Sequence, residues 1–240
     1  MTASKKIDII VLAGGLGTRL REIVPDIPKP LAPIGGKPFL DILLDGLDGK
    51  HWVGKVILAV SYMADRFIEI YRGGKVHSYP ILFSEEQEPL GTGGAVRLAL
   101  PITGTPEVLV LNGDSFVEVD WDAFIAGHKG SGLAMTMVLK YVEDAGRFGR
   151  VILDGRGRII QFEEKRPDVP AGLVNAGVYL FHRHLFDGVT AGEAISLERD
   201  LMPGFLQKGV GGFVTRGKFI DIGLPDSYRM AQDYIGGEKA

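Results

Sequence analysis

Short apolar runs rich in β-branched residues recur along the chain, separated by polar, glycine-rich or proline-rich segments. Runs of this length and composition are typical of β-strands. The first three runs are uninterrupted, which is the pattern of parallel strands buried on both faces of a sheet. The predicted strands are IDIIVLA (7–13), KVILAVS (55–61), EVLVLNGD (107–114), LAMTMVLKYV (133–142), RVILDG (150–155), RIIQFEE (158–164), LVNAGVYLF (173–181) and GFVTRGKFIDIG (212–223).

Segments with helical periodicity lie between the first strands: FLDILLDGL (39–47), ADRFIEIYR (64–72) and GGAVRLAL (93–100). The alternation predicts βαβ units and therefore an α/β fold with a Rossmann-like, doubly wound mixed sheet. After residue 130 strands dominate, with one clear helix expected at SLERDLMPGFLQ (196–207), where Ser196 is a suitable N-cap. We therefore expect a single domain, 1–240, in which halves of about 1–130 and 131–240 share one core.

Composition narrows the classes of function. The 240 residues carry a formal net charge of −3, which gives no reason to expect nucleic acid or a membrane surface as a partner. The absence of cysteine excludes disulfides, thiolate zinc sites and a cysteine nucleophile. The apolar run 7–13 is too short to span a membrane and lacks a cleavage site, so we expect no transmembrane helix and a cytoplasmic location.

A glycine-rich turn, LAGGLGTRL, directly follows the first predicted strand. Because Gly14, Gly15 and Gly17 have no Cβ atoms, phosphate oxygens could approach their backbone N–H groups closely. Arg19 adds a forked donor for phosphate oxygens, and Lys29 adds a point charge. The alternative is a tight strand-to-helix turn with solvated charges, since short glycine motifs often match by chance.

Two well-known phosphate-binding motifs are absent from this turn. No Gly-x-x-x-x-Gly-Lys-Ser/Thr string occurs in the chain, which excludes a P-loop. Gly15 and Gly17 supply the first two glycines of a dinucleotide fingerprint, but Leu20 occupies the third position. This argues against an NAD(P)-dependent oxidoreductase.

Six stretches in order resemble the sugar-phosphate nucleotidyltransferase family. They are LAGGLGTRL (12–20) with Lys29-Pro30, PLGTGGA (89–95), NGDS (112–115), FEEKRP (162–167), NAGVYLF (175–181) and FIDIG (219–223). The resemblance implies the nucleotide-diphospho-sugar transferase fold, here without the C-terminal β-helix of longer relatives. It also implies small-molecule substrates: a sugar 1-phosphate and an NTP, which give an NDP-sugar and pyrophosphate.

By this resemblance the first half binds the nucleotide. The catalytic residues are Arg19 and Lys29, and Asp114 and Asp221 are the pair that binds Mg²⁺. Glu86 is expected to meet the base, and Gly91, Gly93 and Gly94 to leave room for a flat ring against the backbone. The remaining nucleotide-binding positions are Leu12, Ala13, Gly14, Gly15, Gly17, Thr18 and Thr92.

The second half is expected to bind the sugar phosphate. The positions that correspond to the family's sugar-phosphate site are Asn112, Gly149, Glu164, Lys165, Asn175 and Glu198. Gly149 and Gly177 are expected to leave room for the sugar ring. Arg166 stands where proline often follows the family's Glu-Lys pair, and Glu198 could instead be an ordinary acidic residue in the first turn of a helix.

The sequence favours one substrate pair among several. VPDIPKPLAPIGGKPFLDILL (24–44) looks closest to members that use D-glycero-α-D-manno-heptose 1-phosphate and GTP. The alternatives are N-acetylmuramate 1-phosphate with UTP, and mannose 1-phosphate with GTP. A catalytically silent sugar-nucleotide sensor is the non-enzyme alternative, although Lys29, Asp114 and Asp221 are all present.

Overall fold

The computed structural model of the chain describes residues 6–15, 17–72, 77–146, 148, 150–163 and 170–236. Its strands, in chain order, are β1 (Ile7–Leu12), β2 (Pro33–Ile34), β3 (Lys37–Pro38), β4 (Val53–Val60), β5 (Ile81–Glu85), β6 (Glu107–Asn112), β7 (Ser115–Val117), β8 (Met135–Val142), β9 (Arg150–Leu153), β10 (Ile159–Glu163), β11 (Gly172–His182), β12 (Val210–Thr215) and β13 (Phe219–Asp221).

A nine-stranded mixed sheet forms the centre of the molecule, in the order β10-β9-β11-β6-β1-β4-β5, with β8 pairing β11 and β12. Strands β6, β1, β4 and β5 are parallel, whereas β11 runs antiparallel to β6. The uninterrupted apolar runs therefore form the parallel part, as the sequence predicts. Two small sheets, β7 with β13 and β2 with β3, lie outside it.

Helices cover both faces of the sheet. They are α1 (Phe39–Asp45), α2 (Ala64–Tyr71), α3 (Gly91–Ala99), α4 (Trp121–Ser131), α5 (Met202–Lys208) and α6 (Pro225–Tyr234), with a π-helical turn Leu197–Leu201 directly before α5 and 3-10 turns at Lys29–Leu31, Leu100–Ile102 and Arg183–Phe186. Along β1, Ile9 and Val11 pack with α1, α2 and α4, while Ile10 packs with α3 and α5 on the other face. This two-sided burial confirms the doubly wound fold.

The predicted helix at 196–207 is confirmed, since Ser196 Oγ accepts a hydrogen bond from Arg199 N and caps the helical turns that follow. Two other helices were not predicted. Asp120 Oδ1 caps α4 by accepting from Ala123 N, and Pro225 begins α6. Because α6 lies after residue 130, the expectation of one clear helix in that part of the chain is wrong. No helix among the described residues is long and apolar enough to cross a membrane.

The run 212–223 is not one strand. The chain turns at Gly217, where a Cβ would lie 2.6 Å from the Glu118 carbonyl oxygen, so only a residue without a side chain fits. Lys218 N donates to Glu118 Oε2 (2.7 Å), and Glu118 N donates to the Lys218 carbonyl (2.9 Å). After this turn β13 pairs with β7 instead of continuing along β12.

Replacement of Gly217 by alanine should weaken this turn. The added Cβ would crowd backbone atoms that cannot move independently, so we expect the free energy of unfolding to fall by about 1–3 kcal/mol. The control is Gly155→Ala, because a Cβ at Gly155 has no atom within 4 Å. Urea unfolding of both variants measures the effect, and equal stability of the two would contradict the steric account.

Candidate active site

Two cavities lie beside each other where the parallel strands end. Strands β4 and β6 pair with β1 in register at its last residue, Leu12 opposite Ala59 and Asn112, so their carboxyl ends meet at one edge. Ligands bind at this edge in α/β sheets. The first cavity, of about 240 Å³, is lined by Leu12, Gly14, Gly15, Lys29, Pro30, Glu86, Pro89, Gly91, Thr92, Ala95, Asn112 and Asp114.

The second cavity is larger, about 490 Å³. Its lining residues come mainly from the second half of the chain: Thr92, Asn112, Ser115, Phe148, Phe162, Asn175, Ser196, Glu198, Arg199, Phe219 and Asp221. Thr92 and Asn112 line both cavities, so the two spaces adjoin. Of the predicted sugar-phosphate residues, Asn112, Asn175 and Glu198 are here, whereas Gly149, Glu164 and Lys165 lie outside the described residues.

The glycine turn packs closely on one side and is open on the other. A Cβ at Gly14 would lie 2.9 Å from Glu86 Oε1, whereas one at Gly15 would have no atom within 4 Å. Gly17 has a φ of +59°, a conformation that L side chains rarely adopt, and lies against Lys29. The turn therefore brings bare backbone to the first cavity beside a cationic side chain.

Lys29 forms an ion pair at the edge of the first cavity. Its Nζ lies 2.8 Å from Asp114 Oδ2, and the Lys29 side chain is 16% exposed. The lysine begins a 3-10 turn whose next two residues, Pro30 and Leu31, are buried and fix its position. Arg19, in contrast, is exposed and belongs to the lining of neither cavity; Thr18 is also exposed and Ala13 is buried.

The two predicted metal-binding aspartates come together through the β7–β13 pair. Asp221 lies opposite Ser115 in that pair, and Ile222 N donates to the Asp114 carbonyl at 2.9 Å. No group of three or more His, Cys, Asp or Glu that could hold a metal occurs in the part of the chain described. Two carboxylates suit Mg²⁺, which takes its other ligands from phosphates and water.

Glu86 is a buried carboxylate that accepts a hydrogen bond from the backbone. It is 8% exposed, and its Oε2 accepts from Leu90 N at 2.8 Å. Burial raises the pKa of Glu86, and the Leu90 N–H opposes that shift only in part. The side chain therefore fixes the start of the glycine loop that leads into α3.

The glycines of this loop have a packing role that the sequence did not predict. A Cβ at Gly91 would lie 2.8 Å from the Ile195 carbonyl oxygen, and Gly93 N and Gly94 N donate to that same oxygen at 2.9 and 3.1 Å. Because these three glycines have no Cβ atoms, α3 can pack closely against residues 193–197. Gly91 still lines the first cavity.

Gly177 also has a different role from the predicted one. Its φ is +77°, and a Cβ there would lie 2.9 Å from Asn112 Nδ2, so the missing side chain makes room for Asn112 and not for a sugar ring. Asn112 Oδ1 is buried and has no hydrogen-bond partner among the residues that the structure describes. A buried acceptor of this kind, beside two cavities, is available to a donor on a ligand.

Sequence reasoning missed two features of the second cavity. Tyr179 is fully buried behind it and connects Asn175 to Glu198. A tyrosine within the buried run NAGVYLF signals such a contact, because a buried phenol needs a hydrogen-bond partner. The other feature is an aromatic wall in which Phe148 and Phe219 lie 5.4 Å apart between ring centroids.

Comparisons with known proteins show the family of the chain. The family model described as Nucleotidyl transferase matches residues 8–236. The chain is 40% identical over 226 residues to D-glycero-alpha-D-manno-heptose 1-phosphate guanylyltransferase of Aneurinibacillus thermoaerophilus, covering 94% of this chain and 96% of that protein. It is 38% identical over 219 residues to the protein of the same name from Campylobacter jejuni, covering 91% and 96% respectively.

A solved structure is similar over nearly the whole chain. HddC from Yersinia pseudotuberculosis, complexed with GMP-PN, aligns with a TM-score of 0.83 and 34% sequence identity. The alignment covers 95% of this chain and 99% of that one.

Glu86→Gln should stabilise the protein at neutral pH. Because burial raises the folded-state pKa of Glu86 above 4.5, its ionised form costs stability above that pKa. Glutamine can still accept from Leu90 N without a buried charge. The stability gain should disappear as the pH falls through the folded-state pKa towards 4.5, where the wild-type carboxyl becomes protonated.

Denaturant unfolding across this pH range measures the difference, with the exposed Glu88→Gln as the matched control. A wild type more stable than Glu86→Gln at pH 7 would mean that the Leu90 hydrogen bond outweighs the desolvation of the carboxylate.

Proposed function

The chain belongs to the nucleotidyl transferase family, and on this premise we propose that it is a sugar-1-phosphate guanylyltransferase. The proposed substrates are D-glycero-α-D-manno-heptose 1-phosphate and GTP, and the products are GDP-heptose and pyrophosphate. The observation that carries the proposal is the pair of adjoining cavities with Lys29 beside them. A reaction that consumes GTP requires the compartment where NTPs are made, so the proposal includes a cytoplasmic location.

The proposed reaction requires that the two substrates are positioned and their charges neutralised, and it needs no covalent intermediate with the protein. A sugar-phosphate oxygen forms a bond to the α-phosphorus, while the bond from that phosphorus to the bridging oxygen breaks and pyrophosphate leaves with the electron pair. Both reactants are anions and repel each other. In our proposal Lys29 reduces this repulsion, and the backbone N–H groups at Gly14 and Gly15 bind the triphosphate.

Asp114 and Asp221 would hold Mg²⁺, which when bound supplies positive charge to the phosphoryl oxygens. Lys29 is paired with Asp114, and in our proposal it exchanges that partner for a phosphate when the substrates bind. The pair keeps both charges satisfied until then, which avoids the cost of an isolated, partly buried ion. Arg19, exposed beside the turn, would reach the outer phosphates.

The two ends of the substrates would be recognised by separate groups. Glu86 Oε1 faces the glycine turn, and a carboxylate can accept paired hydrogen bonds from guanine N1–H and N2–H₂. On the other side, Asn175 and Glu198 offer donors and acceptors for vicinal hydroxyls, opposite the aromatic wall of Phe148 and Phe219. Apolar faces of a sugar pack well on such a wall.

Pyrophosphate release tests the proposed reaction directly. A matrix of GTP, UTP and ATP against heptose, mannose and N-acetylmuramate 1-phosphates should give the highest kcat/KM for GTP with the heptose phosphate. Chelation of divalent metal should abolish release. Higher kcat/KM with another pair would overturn the substrate assignment, and no release with any pair would favour a catalytically silent sensor.

Lys29→Met should lose turnover while the fold is retained. Removal of one positive group that stabilises transition-state charge typically lowers kcat by roughly 10²–10³-fold. The matched control is Lys37→Met: Lys37 also pairs with an aspartate, at 3.1 Å, but it lines neither cavity. Circular dichroism checks folding of both variants. Near-wild-type kcat in Lys29→Met would remove Lys29 from the mechanism.

A further inference from the structure

A chain of four hydrogen-bonded side chains links the two cavities. Thr92, which lines both, donates from Oγ1 to Glu198 Oε2 at 2.8 Å. The Tyr179 hydroxyl donates to the other oxygen, Glu198 Oε1, at 2.8 Å. Asn175 Nδ2 donates to the Tyr179 oxygen at 2.6 Å. Asn175 and Glu198 line the second cavity, whereas Tyr179 lines neither and is fully buried.

Backbone groups at both ends fix the direction of these hydrogen bonds. Gly177 N donates to Asn175 Oδ1 at 2.9 Å, so the amide nitrogen must face Tyr179. The tyrosine oxygen therefore accepts, and its proton is left for Glu198. At the other end Leu197 N donates to Thr92 Oγ1 at 2.8 Å, which leaves the threonine proton for Glu198 as well.

Glu198 is thus held on both oxygens: Oε1 accepts from Tyr179, and Oε2 accepts from Thr92 and, at 3.3 Å, from Ser196 Oγ. Burial, and then the negative charge of Glu198, raise the pKa of Tyr179 well above its usual value, so the phenol stays protonated and remains a donor. Loss of the hydroxyl would leave Glu198 Oε1 and Asn175 Nδ2 without this shared partner. Each side chain would then lose one of the hydrogen bonds that orient it towards the second cavity, while Thr92 would still hold Glu198 and Gly177 N would still hold Asn175.

We propose that Tyr179 is a positioning residue that couples nucleotide binding to sugar-phosphate binding. The inference rests on the proposed function, since it assigns the first cavity to GTP and the second to the sugar phosphate. A nucleotide that fixes Thr92 also fixes Glu198, and through Tyr179 it fixes Asn175. The sugar phosphate then meets an ordered site and binds more tightly, and by linkage the reverse also holds.

Calorimetric titration of heptose 1-phosphate, with and without a non-hydrolysable GTP analogue and Mg²⁺, measures this coupling. We expect the analogue to tighten wild-type binding by about tenfold. In Tyr179→Phe the ratio of the sugar-phosphate Kd without the analogue to the Kd with it should fall towards one. The KM for the sugar phosphate should rise about tenfold, with a smaller change in the KM for GTP. Thr92→Val removes the shorter of the two hydrogen bonds to Glu198 Oε2 and should lower this ratio likewise.

Tyr79→Phe is the matched control. Tyr79 is also buried and its hydroxyl donates to the Leu44 carbonyl at 2.7 Å, but it lines neither cavity. This variant should keep both the binding ratio and the KM of the wild type.

An unchanged ratio in Tyr179→Phe and Thr92→Val would overturn the inference, as would equal losses in Tyr79→Phe. A wild type that binds both ligands without coupling would also overturn it, while leaving the proposed function intact. Failure of the wild type to bind either ligand would instead contradict the proposed function, and this inference with it.

Discussion

The ion pair between Lys29 Nζ and Asp114 Oδ2 holds a cation and an anion at the cavity where the parallel strands end. Both side chains are only partly exposed, so an unpaired charge on either one would lower the stability of the folded protein. The pair therefore satisfies both charges. In our proposal phosphate oxygens replace Asp114 as the partner of the lysine, and a divalent cation replaces Lys29 as the partner of the aspartate.

Close backbone packing keeps the surrounding groups in place for that exchange. The Ile195 carbonyl accepts from two glycine N–H groups at the start of α3, so the loop that borders the first cavity is tied to the helical segment that carries Glu198. At the sheet centre, Gly177 of β11 gives Asn112 of β6 the space it occupies between the cavities. Rigid elements thus hold the side chains at their positions, as a precise two-substrate reaction requires.

Much of the parallel sheet could be predicted, because each strand there is buried on both faces and its sequence is apolar throughout. The resemblance assigned Lys29 and Asp114 to one site, but their ion pair was not predicted, because Lys29 lies in a 3-10 turn far from Asp114 in sequence. The uses of Gly91 and Gly177 could not be predicted, since a glycine shows that space is needed but not which neighbour fills it. Helices α4 and α6 were missed because each buries few apolar side chains: Phe124 and Ile125 in α4, and Ala231 in α6. Tyr179 was missed because its role depends on partners distant in sequence.

When the substrates bind, Lys29 is proposed to leave Asp114 and to contact the α-phosphate. A crystal structure of the protein with Mg²⁺ and a non-hydrolysable GTP analogue tests it most directly. We predict that the triphosphate lies along the glycine turn and that Lys29 Nζ contacts the α-phosphate, with Asp114 released from the lysine. A triphosphate bound elsewhere, with the 2.8 Å pair between Lys29 and Asp114 unchanged, would contradict the account.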